Sequence, residues 1–171
     1  MRTYAWRVCF ILAALLFLNA GPRHPRGTFT EMLANPSWVQ SHLLFLGAIL
    51  ALLAGVTLYR AHRVLPARTL RWARFVQIAG ILEVLEMIVH TASVVDHQHM
   101  VAGEPTPVFT AHILMSIAFY PLYAAAVVGL IVAGIRDRSL GSVWIGWLGI
   151  IGAVAHGAAP ILVVAMDSSR D

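Results

Sequence analysis

Residues 75–95 read FVQIAGILEVLEMIVHTASVV. A bilayer's hydrocarbon core is about 30 Å thick and is crossed by roughly 20 apolar residues of helix, so this stretch is long enough to span. It also carries Glu83, Glu86 and His90. Their i, i+3, i+7 spacing gathers all three on one helical stripe about 60° wide and leaves the other faces apolar. A membrane helix with one ionisable stripe turns that stripe toward other helices, away from lipid. The expected fold is therefore a bundle.

Working outward, residues 4–20, 37–59, 108–135 and 143–166 have the same length and character. The breaks fall at Gly21-Pro22, His24-Pro25, Asn35-Pro36, Pro66, Gly103-Glu104-Pro105-Thr106-Pro107 and Arg136-Asp137-Arg138, where proline, glycine or charge interrupts the apolar pattern. The sequence predicts an all-α integral membrane protein, residues 1–171 forming a single membrane domain. It would have five transmembrane helices, with helices two to five making a four-helix bundle. Composition agrees, at 59% hydrophobic and 12% charged, against about 25% charged in a soluble domain. The chain has no lysine, which excludes Schiff-base chemistry. Cys9 is its single cysteine, which excludes an intrachain disulfide and any multi-cysteine metal knuckle.

Orientation follows from the arginines. Arg2, Arg7, Arg60, Arg63, Arg68, Arg71, Arg74, Arg136 and Arg138 fall on one side of the spans, and Arg23, Arg26 and Arg170 on the other. The positive-inside rule then puts the N-terminus in the cytoplasm and the C-terminus outside, as expected of a multi-pass protein of the cell membrane. Glu31, Asp96, Glu104, Asp167 and Asp171 fall outside, with Asp137 alone of the loop acids inside. The net charge of +4 reads as a topology signal with attraction for anionic headgroups; no nucleic-acid partner is expected. Arg2 and Arg7 ahead of an apolar run also suggest a signal peptide, but Leu18 stands where a small residue is wanted before cleavage at Ala20. The segment is read as a retained helix. Residues Gly27 to Leu33 form an amphipathic stretch that would lie along the outer surface, or a plain loop, before Trp38 anchors the second helix.

Ionisable groups inside spans are costly and mark function. Here they are His42, Glu83, Glu86, His90, His112 and His156, one histidine on each of helices two to five. At a 1.5 Å rise per residue, His42, His90 and His112 lie roughly 8 Å below the outer ends of their helices, with His156 and Glu86 near 15 Å. Glu83 and Glu86 cannot both stay ionised in one low-dielectric stripe without a facing cation, whether a metal, an imidazolium or a protonated quinone. On the fourth helix His112, Ser116, Phe119 and Tyr123 form a matching stripe. On the fifth, Gly149 and Gly152 share the face of His156, and Pro160 frees the His156 carbonyl from its helical bond. The small row Gly47, Ala51 and Gly55 lies opposite His42 and reads as helix packing. His97 would extend the Glu83–His90 stripe if that helix ran on; as an outer loop, His97 and His99 with Asp96 and Met100 suit capture of Cu or Zn. His24 and His62 carry no evident role.

Three functions fit this pattern. One is a bis-histidine haem b protein, with ligands from His42, His90, His112 and His156, passing electrons across the membrane or to a quinone. Such proteins use neutral histidines at one depth on facing helices, and the arrangement resembles four-helix b-type cytochromes in this respect alone. The second is a Cu or Zn site on His42, Glu86, His90, His112 and His156, with His97 and His99 at the entry, serving metal transport, delivery or a metal-dependent lipid enzyme. The third has no cofactor: an apolar small molecule bound or isomerised by Glu86 and Glu83 as acid and base, or a small subunit among partner membrane subunits.

Overall fold

The computed structural model describes residues 4–167. Arg2, Arg170 and Asp171, which enter the orientation argument, lie outside the described residues, as does the side chain of Asp167. The described chain is helical and without strands: α1 (Ala5–Ala20), α2 (Phe29–Ala34), α3 (Ser37–His62), α4 (Ala67–Ala92), α5 (His97–Val101), α6 (Pro107–Arg136) and α7 (Val143–Asp167). Five of the helices, α1, α3, α4, α6 and α7, are long and apolar enough to cross a membrane.

Two boundaries differ from the sequence expectation. α3 runs on to His62 instead of stopping near 59, and α4 starts at Ala67 instead of near 75. The arginine-rich link is therefore mostly helix, with Pro66 as the N-cap of α4. Hydropathy marks where an apolar solvent could end, whereas a helix continues until its hydrogen bonding is broken; arginine is a good helix former. At its other end α4 tightens into a 3₁₀ turn, Ser93–Asp96. With three residues per turn the register changes, so His97 does not extend the Glu83–His90 stripe.

Polarity is inverted relative to a water-soluble globule. On α4, Glu83 and Glu86 are fully buried while Ile78, Ile81, Leu85 and Ile88 are exposed. α7 likewise exposes Trp144, Ile145, Leu148 and Ile151. Apolar faces of this extent need lipid or protein against them.

The helices pack in chain order, α1 on α3, α3 on α4, α4 on α6 and α6 on α7. α1 docks on the small row of α3, where a Cβ added at Gly55 would meet Phe10 and Cys9 and one at Gly47 would meet Leu16; that row is packing, as read from the sequence. One half of the molecule is a closed core of Val56, Ala73, Val76, Ala79, Tyr123, Ala126 and Leu130. Its end is tied by Tyr59 Oη donating to the Ser139 carbonyl at 2.9 Å and Thr69 Oγ donating to Asp137 Oδ2 at 2.8 Å. The opposite half opens into a pocket. There the rings of Phe17 (α1) and His156 (α7) meet edge-on at 5.7 Å, closing the helices around it.

α2 caps this open half. Thr28 and Glu31 form a capping box, and Met32 and Leu33 are buried with Trp38 and Phe109. The amphipathic stretch thus turns its apolar face into the protein and does not form a plain loop. Asp96 is buried, its Oδ2 accepting the Phe109 backbone N–H at 2.8 Å. That bond satisfies a first-turn donor of α6 and fixes the 3₁₀ turn over the pocket.

Candidate functional site

α3, α4 and α6 bring His42, His90 and His112 together, and the loop after α1 adds His24. Ring centroids follow one another at 4.9 Å (His24–His42), 4.1 Å (His42–His90) and 3.6 Å (His90–His112), a ladder of four imidazoles. Trp38 closes the ladder's side at 4.2 Å from His42 and 5.3 Å from His90. His24 had no assigned role in the sequence reading. It lies in a loop between prolines, where no helical period announces its direction.

The hydrogen bonds fix which ring nitrogens remain free. A carbonyl oxygen only accepts, so a ring nitrogen facing one carries the proton. His42 Nδ1 donates to the Trp38 carbonyl at 2.6 Å, and His24 Nδ1 to the Pro25 carbonyl at 2.8 Å. Each then presents its lone pair at Nε2. His42 Nε2 is buried with no hydrogen-bond partner among the described residues. Burial holds the His24 ring below its ordinary range, against the opposing pull of the Pro25 carbonyl, and nearby His112 adds to the lowering.

Glu86 is the anchor on α4. Its Oε1 faces His112 Nδ1 at 2.8 Å, accepts from Ser116 Oγ at 2.6 Å and lies 3.4 Å from His90 Nδ1. Its Oε2 is buried without a partner among the described residues. The i+4 step from Glu86 to His90 and that from His112 to Ser116 put these four side chains on facing stripes. Further along the α6 stripe the buried residue is Tyr120 and not Phe119.

His156 does not join this group. Its Nε2 pairs with Glu83 Oε1 at 2.8 Å, and its ring stacks on Tyr120 at 4.6 Å. The two buried carboxylates thus have separate imidazole partners, Glu86 with His112 and Glu83 with His156.

Among the described residues, two sets could hold a metal ion: His24, His42 and His90, and Glu86, His90 and His112, each offering ligand atoms within 4.8 Å of one another. His90 belongs to both. His97 and His99 belong to neither; His99 Nδ1 is paired with Glu104 Oε2 at 2.8 Å, and His97 lies 3.4 Å from Gln98. Both sit on the short helix α5. Gly149 and Gly152 are not part of the site either. A Cβ at Gly149 would meet Ile131 at 2.9 Å, one at Gly152 would meet nothing within 4 Å, and one at Gly157 would meet Ala124 at 2.5 Å.

Beside the ladder lies a pocket of about 320 Å³, reached by His42, His90, His112, Ser116, Tyr120 and His156 and walled by Phe17, Phe45, Met87, Val163 and Val164. No family model, curated protein or solved structure matches the chain.

Proposed function

We propose that this chain is a multi-pass integral protein of the cell membrane that holds a transition-metal ion, Zn²⁺ or Cu²⁺, on histidines inside the bilayer. His24, His42 and His90 are the first ligand set, with His112 and Glu86 beside them. In this reading α3, α4, α6 and α7 are the four-helix bundle around the site, and α1 closes it between α3 and α7. The N-terminus is cytoplasmic and the site lies in the outer half, an orientation that the arginine distribution supports.

One observation carries the proposal. His24 and His42 spend Nδ1 on carbonyls, and His112 spends its own on a carboxylate. Metal-binding histidines are held in this way, the second nitrogen fixed by an acceptor so that the first is aimed and basic. Neutral imidazole with carboxylate suits Zn²⁺ and Cu²⁺. When bound, such an ion supplies Lewis acidity.

Haem b draws less support. His90 and His112 lie face to face at 3.6 Å, which leaves no room for a macrocycle between them.

The test is elemental analysis and an absorption spectrum of the purified protein. The expected result is a colourless or copper-tinted protein holding about one ion per chain, lost in His42→Ala and His90→Ala and kept in His62→Ala. A Soret band, or full metal content in both ladder variants, would overturn the proposal.

A further inference from the structure

The pocket beside the histidines has a wall that is also the outside of the molecule. Ala159 and Val163 of α7 line it and are exposed, Val163 by 45%. They share one helical stripe with His156, Pro160 and Val164, all of which also line the pocket. α1 and α7 are not packed closely along their backbones, and the Phe17–His156 ring contact bridges their seam. Leu18 of α1, next in the chain to Phe17, and Ile161 and Leu162 of α7, between Pro160 and Val163, are exposed. The mouth therefore faces the solvent that those side chains face, which for a spanning helix is hydrocarbon.

Phe17, Phe45, Met87 and Val164 give it apolar walls, and the fully buried His42, whose Nε2 lone pair has no partner among the described residues, also lines it. An apolar pocket of this size with a few uncommitted polar atoms is the usual form of a small-molecule site. We infer that the pocket binds a membrane-dissolved molecule with one apolar chain and a hydroxyl head, entering between α1 and α7 with the hydroxyl toward the histidines. A hydroxyl is the head that the site accepts in either state. Its O–H donates to a bare Nε2, and its oxygen coordinates an ion bound there. A bare alkane satisfies neither, and leaves the buried nitrogen unpaired at a cost.

The inference deepens the metal reading but does not need the ion, so the experiment is run on metal-loaded and chelator-stripped protein in lipid nanodiscs. The probe is hexadecanol carrying a diazirine on its chain, photolysed and mapped by mass spectrometry. Label is expected on Phe17, Met87 and Val163, competed by hexadecanol and not by hexadecane. Ala159→Trp and Val163→Trp, each filling the mouth, should cut that label by about tenfold, the loss expected for about 1.4 kcal/mol. Metal content in these variants should stay unchanged, which also reports that they are folded. Label spread along the outer faces of α1 and α7, equal competition by hexadecane, or indifference to both tryptophan variants overturns the pocket. Specific label in protein that never holds metal overturns the metal reading and leaves the pocket standing.

Discussion

The rings of His90 and His112 stack at 3.6 Å between centroids with 30° between their planes, and both reach the same oxygen, Glu86 Oε1. One carboxylate on α4 thus orients an imidazole of its own helix and one of α6. With its Nδ1 turned to Glu86, His112 keeps its Nε2 side for a ligand.

Glu86 should therefore matter as an acceptor more than as a space-filler. Glu86→Ala leaves His112 and Ser116 without their shared acceptor and should cost about 3 kcal/mol of stability, in the range for breaking a buried pair. Glu86→Gln keeps an acceptor oxygen and should cost less than half of that. Unfolding in detergent followed by circular dichroism measures both. Equal losses in the two variants would contradict the role.

The separation into two Glu–His pairs can be read by double-mutant cycles. Glu83→Gln with His156→Phe, and Glu86→Gln with His112→Phe, should each show coupling of about 1–3 kcal/mol. The crossed pair Glu83 with His112 should be additive. Strong crossed coupling would restore a single site that includes His156.

The seam between α6 and α7 depends on Gly157. A Cβ there would lie 2.5 Å from Ala124 Cβ and 3.2 Å from the Tyr120 carbonyl oxygen, whereas one at Gly152 meets nothing within 4 Å. Gly157→Ala should cost about 1–3 kcal/mol, as overpacking does, and Gly152→Ala should be close to neutral or slightly stabilising. Thermal unfolding of the two variants side by side gives the comparison, and a neutral Gly157→Ala would mean that the helices are not so closely apposed.

An ion held as proposed should be released by acid. Protons compete with a metal for each Nε2. The His24 ring is held below its ordinary range by burial, with His112 assisting. A lowered histidine pKa means that the unfolded chain takes the proton first. The stability linked to His24 is therefore complete above the unfolded value of about 6.5 and is lost as pH falls toward the folded one. Metal content measured after equilibration across pH should be flat near neutrality and fall below about pH 6; release on raising pH instead would contradict lone-pair ligation.

Much of this molecule was legible in one dimension. Glu83, Glu86 and His90 shared a helical stripe by spacing alone, and all three turn inward. Gly47 and Gly55 announced a packed face and received α1. What failed were inferences that assumed a helix simply continues or that depth implies contact. His97 was lost to a 3₁₀ turn, and His156, at nearly the depth of Glu86, pairs with Glu83. His24 carried no signal, because a loop between prolines has no period to read.

The sequence by itself determined the helices and which side of each is polar, because both follow from periodicity and from the cost of placing charge in an apolar medium. Only the tertiary structure decided which imidazole meets which carboxylate. Partnership depends on the rotation and neighbour order of helices, which many sequences with the same stripes leave open. It also depends on local hydrogen bonds, such as that from His42 Nδ1 to the Trp38 carbonyl, that no residue pattern encodes.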